Sequence, residues 1–547
     1  MYLLNPLKKK LENILKDFKI VENLDLKISN NLSYDLQINN LVKQQKNKKI
    51  EEITSKFIEE IEKDLNISDY EITKDYFINL NLNLNRYLDI LENVETNIKV
   101  KKQKKIIIDY GGPNIGKPLH VGHLRSLNIG RSLYNINKIA GNKIISDIHL
   151  GDWGMPVAQI INFCENKGID IEKLDTAQLE EIYPSASSLY KQDINFQETA
   201  KNINKKLNDS DPEYLKKWMS IKNISLDSIK KMLGTLNHTF DLWLGESDVN
   251  KIIPKMLKDL EKNKKISLEN GAYVSNEKTD PKILITKSDG SYLYLTTDLA
   301  TVLNRLDNLD FDAIFYVVDK RQKLHFEQLF NSLDYFQFEH KHYEHVSFGT
   351  INDRDGNPFK TREGGTKQLK ELLDETKNYI NEININLDFE TVEILANTVL
   401  TYSDLITNRQ TDYKFDLKRF TNISGKTGIY VQYALVRAKK LISDSDFSED
   451  NDKIDISKLD KQDTDLLKAL FKFEILFKKS IENNEPHHIA DYLYEISNLF
   501  NAIYQSENIL NNNNKIVRTN KLTITNYFVR YSLLLQKCLG IKPVSKM

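Results

Sequence analysis

Three isoleucines and an aspartate, "IIID" at residues 106–109, restrict the fold more than any other stretch of this chain. A β-branched run without polar alternation suits a strand covered on both faces, as parallel strands are. A glycine- and proline-rich turn, "GGPNIGKP" at 111–118, follows, and then a helical pattern that opens near His120. Buried strand, turn and helix form the repeating unit of an open α/β sheet. The unit recurs. "KIISDIHL" at 143–150 runs into "GDWG", and "AIFYVVD" at 313–319 is followed by the helical "QKLHFEQLFNSL". Ligands of such sheets bind beyond the carboxyl ends of the strands. Residues 109–123, 149–154 and 319–325 occupy those ends and form the candidate site.

At 547 residues the chain exceeds one core, so about two to four domains are expected. Ahead of the sheet, "LKKKLENILKDF" at 7–18 puts Leu7, Leu11, Ile14, Leu15 and Phe18 on one helical face. "FINLNLNL" at 77–84 alternates with period 2 and predicts a strand with one exposed face. These elements predict a small α/β domain. It ends near "KVKKQKK" at 99–105, where five of seven residues are lysine. That run reads either as a hydrophilic linker or as a basic edge facing a polyanion. Polar helical sequence fills about 155–265, and after about 370 helical patterns dominate, predicting an all-α bundle of roughly 120 residues at the C-terminus.

Composition excludes several classes. Two distant cysteines, Cys164 and Cys538, make neither a disulfide framework nor a thiolate zinc site, and a reducing cytoplasm is expected. The N-terminus lacks the order of a secretory leader, and no run approaches the length of a membrane span. A net charge of -1 neither indicates nor excludes a nucleic-acid partner, because local patches decide.

His120 and His123 flank Gly122 at the opening of a helix. Helix N-termini favour anions, and imidazoles on the same turn add donors to phosphate oxygens. Gly122 would let a flat ring approach the backbone, Lys117 adds a point charge, and Pro118 fixes the entry. Fixed donors of this kind suit a nucleotide whose α-phosphate is attacked.

The string "PNIGKPLHVGHLRS" resembles the first motif of class I aminoacyl-tRNA synthetases, in the spelling of their arginyl branch. Further blocks match that family in the same order: "HLGDWG" at 149–154, "YLTTDLA" at 294–300, "VVDKRQKLHFEQ" at 317–328, "PFKTREGGT" at 358–366, "NRQTDYKFD" at 408–416 and "YVQYALVRAKKLI" at 430–442. The resemblance implies a Rossmann-like parallel-sheet catalytic domain. It implies activation of L-arginine with ATP to an adenylate, then transfer to the 3' terminal adenosine of tRNA(Arg). It often implies that tRNA is needed for the first step. Magnesium is expected to travel with ATP, and neither structural zinc nor a protein-held metal is expected.

On this resemblance His120, His123 and Lys117 bind and polarise the ATP phosphates, with Gly122 under the adenine. "FKTRE" replaces the usual second motif, making Lys360 and Arg362 phosphate candidates. Asp109 matches an acidic position near the amino acid, and Asn114 one at its α-amino or carboxylate end. Tyr294 and Asp298 match residues that meet the guanidinium, and Gln322 a substrate-contacting glutamine. Read singly, Asp298 is also a plausible N-cap of "TTDLATVL", and Asp109 an ordinary strand-end carboxylate. Tyr430, Gln432, Tyr433 and Arg437 are candidate anticodon contacts, but their helical spacing fits a core face equally well.

The expected organisation is a tRNA-contacting α/β domain at 1–100 and a catalytic domain at 101–370 with an insertion at about 155–290. A helical connector follows at 371–427, then a helical anticodon-binding domain at 428–547. A cytoplasmic monomer is expected. The cysteine branch would need a thiol-rich zinc site, and the isoleucine, leucine and valine branches a large editing domain. The glutamate and glutamine branches lack the "DYKFD" and "VQYA" blocks. A small nucleotidylyl transferase leaves most of the chain unexplained. A non-catalytic tRNA- or protein-binding paralogue would be expected to lose His120, His123, Lys117 or the substrate carboxylates, and all are present.

Overall fold

A computed structural model describes residues 4–547 apart from 21, 30–32, 277–281, 358, 360–366, 385 and 449–452. Lys360 and Arg362 fall outside the described residues. The chain divides into two compact units. One holds residues 1–101, 422–538 and 542–547; the other holds 102–421 and 539–541.

In the first unit, strands β1 (Leu26–Ile28), β2 (Leu36–Ile38), β3 (Ile67–Ile72) and β4 (Ile78–Leu82) form an antiparallel sheet in the order β1-β2-β4-β3. Helices Asn5–Asp17 and Ile50–Glu62 pack on it through Leu7, Leu11, Leu15, Ile53, Phe57 and Ile61. Strand β4 departs from the expected exposed face. Asn79 is buried, accepting from Gln37 Nε2 and donating to Glu71 Oε2, so cross-strand amides cover the face that water was expected to cover. The C-terminal part is all helical: Gly428–Ser443, Lys461–Phe471, Phe473–Asn483, His487–Ser506 and Lys515–Leu539. Its core stacks Phe500 on Phe528 at 4.4 Å. A buried Lys521 ties the bundle through Asp460, Asp463 and Glu507.

The second unit carries the parallel sheet. Strands β5 (Lys105–Tyr110), β6 (Lys143–Asp147), β9 (Ala313–Val317) and β10 (His342–His345) lie in the order β10-β9-β5-β6, all parallel; a separate hairpin, β7 (Ile266–Glu269) and β8 (Ala272–Ser275), lies between in sequence. Ile106, Ile107 and Ile108 are buried, as a doubly covered strand requires. Helix Leu124–Ile139 connects β5 to β6, and helix Lys323–Tyr335 connects β9 to β10. The chain therefore winds outward in opposite directions from β5 and β9. That reversal opens a crevice beyond their carboxyl ends, where sheets of this kind bind ligands. Ser126 closes its floor, donating to the Val317 carbonyl at 2.7 Å and accepting from the Gly111 amide at 2.8 Å. Gly111 turns there with φ +94°, in the left-handed region that favours glycine. Inserted helices Met155–Lys167, Thr176–Gln192, Ile194–Asn208 and Pro212–Thr235 form a layer with its own core.

Candidate active site

The histidine turn is a short 3₁₀ segment, Val121–His123, that feeds helix Leu124–Ile139. His120 caps it. Its Nδ1 accepts from the Gly122 amide at 3.1 Å, and the Nδ1 of His123 accepts from the His120 amide at 3.1 Å. A ring nitrogen that accepts a backbone N–H carries no proton, so the neutral His120 ring keeps its proton on Nε2; the Nδ1 of His123 also lies 3.2 Å from the His120 carbonyl, and its tautomer follows whichever of the two groups it bonds. The rings lie 3.9 Å apart. Burial, reinforced by His120, drives the His123 pKa down to about 3. Burial and then Lys117 also lower that of His120. The pair is thus neutral at physiological pH, and the Nε2–H of His120 is a donor set without reorganisation. A Cβ on Gly122 would press on the His120 ring at 2.9 Å, so this glycine also protects the ring's position.

The segment that re-enters at Lys367 docks on this turn. Val121 donates to the Lys367 carbonyl at 3.0 Å, and Leu369 donates to the Leu119 carbonyl at 2.8 Å.

Two carboxylate clusters lie at the strand ends. In the first, Arg305 Nη2 meets Asp109 Oδ2 at 2.5 Å and Asp147 Oδ2 at 2.6 Å. All three are buried. Burial alone would lower the Arg305 pKa, but the two carboxylates outweigh it and keep the guanidinium charged. Asp109 thus meets an arginine of its own chain, which the sequence reading did not anticipate. Asp109, Asp147 and His149 offer ligand atoms within 4.8 Å of one another, but Arg305 already pairs with both carboxylates.

The second cluster holds no such cation. Asp298 lies one turn inside helix Tyr294–Asn308, whose N-cap is Leu293, so the capping role considered for Asp298 does not apply. Its Oδ2 instead accepts from His325 Nε2 at 2.6 Å, a bond that raises the His325 pKa. Glu246 follows a segment laid beside the end of β6 by the bridge between Leu150 and Gly245, with the Glu246 amide on the Leu150 carbonyl at 3.1 Å. Burial first, then the charges of Asp152 and Asp298, push the Glu246 pKa up to about 7. Asp152 is held by Lys222 at 2.5 Å and by Ser247. Among the described residues no cation pairs with Glu246. An acid so raised, facing another acid, is a site prepared for a positive charge.

The remaining candidates divide. Asn114 is exposed and lies against Gly151, where any side chain would collide with its amide. Tyr294 is 76% exposed, and Gln322 is exposed on the turn Lys320–Gln322 after β9. Tyr430, Tyr433 and Arg437 share a partly exposed face of helix Gly428–Ser443. There Arg437 donates to Tyr433 Oη at 2.9 Å and lies 5.1 Å over the Tyr504 ring, while the Tyr430 and Tyr494 rings meet at 5.5 Å, tilted by 46°. Gln432 does not belong to that face. It is fully buried, donating to the Lys542 carbonyl and accepting from the Val544 amide, so it pins the C-terminal tail. Residues missed by the sequence reading are Glu246, Arg305 and His325. Arg305 could have been found as a charge on the buried stripe with Leu299 and Val302. Nothing local marked Glu246.

Residues 87–417 match the family described as tRNA synthetases class I (R), catalytic domain. The chain belongs to the class I arginyl-tRNA synthetase family. Residues 431–547 match the DALR anticodon binding domain. An arginine–tRNA ligase of Francisella tularensis subsp. holarctica is 35% identical over 514 residues, covering 87% of each chain. One from Alkaliphilus oremlandii is 37% identical over 476 residues, covering 81% of this chain and 80% of its own. The solved arginyl-tRNA synthetases of Plasmodium falciparum and Thermus thermophilus share the fold. The first superposes with TM-score 0.84 at 23% identity, covering 100% of this chain and 99% of its own. The second superposes with TM-score 0.81 at 18% identity, covering 99% of each chain. This synthetase is an arginine–tRNA ligase: it activates L-arginine with ATP and transfers it to tRNA(Arg). Among the described residues no helix is long and apolar enough to cross a membrane.

Proposed function

We propose that the crevice beyond β5 and β9 brings ATP to the histidine turn and the arginine side chain to Glu246 and Asp298. The observation that carries this reading is a pair of acids that no guanidinium or lysine among the described residues holds: Asp298 pairs only with the His325 ring, and Glu246, crowded by Asp152 and Asp298, is raised to about 7. A guanidinium is planar, always charged and rich in donors, so it satisfies both. Asp109 and the amide of Asn114 take the α-amino end. Tyr294 closes over the guanidinium, and Gln322 contacts the substrate from the β9 side. His120 and His123 donate Nε2–H to the phosphates as charge develops on them. Lys117, Lys360 and Arg362 supply positive charge, and Gly122 lies under the adenine. Magnesium prefers oxygen ligands, which the imidazoles and the lysine do not offer, so it arrives on the phosphates.

For tRNA, we assign the anticodon to residues 428–547, with Tyr430, Tyr433 and Arg437 as stacking and cationic contacts. Residues 1–100 take the D-loop region, residues 101–370 the chemistry, and 371–427 connect. A reducing, cytoplasmic setting is supported by two free, buried cysteines, and a monomeric state is tested by sedimentation. The direct test of the site is ATP–pyrophosphate exchange with each of the twenty amino acids, with and without tRNA. Exchange with arginine alone is expected. Equal loss of arginine and ATP in D298A would refute the pocket.

A further inference from the structure

The inserted helices at 155–235 carry no role in the reading above, yet four of their contacts converge on the loop that leads to the histidine turn. Ile115 of that loop is buried in the core of the inserted layer, with Val157, Ile160 and Ile161. The next amide, that of Gly116, donates to Ser225 Oγ at 2.8 Å, and Ser225 is itself buried. Gly116 has φ +74°, and a Cβ there would strike Ile160. Lys117 then lays its ammonium 4.5 Å from the centre of the Tyr183 ring, which projects from helix Thr176–Gln192. Leu179, Ile182 and Ala186 anchor that helix.

We propose that the inserted layer is a positioning device for the ATP-facing loop, and that Tyr183 positions Lys117 for the phosphates. The argument is chemical. A lysine side chain is long and flexible, and without a partner its ammonium samples many rotamers. A carboxylate partner would hold it but would also neutralise it and compete with phosphate. Among the described residues no carboxylate pairs with Lys117. An aromatic face attracts the charge without accepting its N–H bonds in the manner of a carboxylate. The ammonium is thus held in place, still charged, with donors left for phosphate oxygens. Tyr183 does not touch substrate; it acts through Lys117.

The inference rests on the phosphate role given to Lys117, so the test separates the two. ATP–pyrophosphate exchange is measured at saturating tRNA for K117M, Y183L, Y183F and the double variant K117M/Y183L, with thermal unfolding as a control on folding. K117M is expected to lower kcat on the order of 100-fold. Y183L should lower kcat about tenfold with the KM for arginine unchanged. Y183F, which keeps the aromatic face, should restore most of that rate. In the K117M background Y183L should cost nothing further, because the group it positions is gone. Parental kcat in Y183L beside a crippled K117M would overturn the positioning role and leave the phosphate role standing. Equal Y183L effects with and without Lys117 would also overturn it, as a purely structural ring behaves that way. Parental activity in K117M would overturn the phosphate role and this proposal with it.

Discussion

Two carboxylate clusters a few residues apart in the same crevice have opposite characters. Asp109 and Asp147 surround Arg305, a guanidinium supplied by the chain, and all three groups are buried. Asp298 and Glu246 surround no guanidinium, and Glu246 is pushed up to about 7. The same chemistry serves structure in one cluster, Asp109 apart, and recognition of the guanidinium in the other. A buried carboxylate held by a guanidinium is a fixed structural pair, whereas acids crowded together with no guanidinium are held in an unfavourable state that a cationic ligand relieves.

The largest expected effect breaks the filled cluster. R305M leaves two buried carboxylates unpaired and should cost about 3–5 kcal/mol of stability, read by urea unfolding. A near-parental midpoint would mean that the cluster is not a structural ion pair. Next, D298N should lower kcat/KM for arginine by on the order of 10²–10³ while the KM for ATP stays within about threefold, because a site built to bond the guanidinium loses its charged partner. H120A and H123A are the contrast: each should lower kcat by on the order of 10²–10³ with little change in the arginine KM. A selective rise in the arginine KM would blur the division between turn and pocket.

Smaller effects concern protons. Glu246 in the free enzyme is raised above its unfolded pKa, so the folded state holds a proton that the unfolded state has lost. Its contribution is full below about 4.5 and fades as pH rises through about 7. His123 runs the other way: its pKa is lowered from 6.5 to about 3, so stability falls as pH drops through that window. E246Q should flatten the alkaline arm and H123N the acidic arm in melting temperatures across pH 4–8. At pH 7, arginine binding should release close to half a proton per site through Glu246, read by calorimetry in buffers of different ionisation heat. E246Q should release none.

What the sequence made legible follows from range. The β-branched run of β5, the glycine turn and the histidine pair act within some twenty residues, and local pattern revealed them. The long-range pairings were hidden. Glu246 reaches the crevice only because the segment before it pairs with the end of β6, and Arg305 reaches Asp109 across 196 residues. Gln432 misled for a related reason. Its helical spacing beside Tyr430 and Tyr433 is compatible with either face, and only the returning tail at Lys542 and Val544 shows that it points inward. Asn79 in β4 likewise looked solvent-facing until its cross-strand partners were in place.

The central claim is that the open cluster recognises charge rather than shape. Citrulline tests it, since it keeps the outline of arginine and replaces the guanidinium with a neutral ureido group. ATP–pyrophosphate exchange should be measured for arginine and citrulline at saturating tRNA. The expected result is a preference for arginine of at least about 10³-fold, shrinking markedly in E246Q and D298N. Comparable exchange with both amino acids, or a preference untouched by those substitutions, would contradict the account.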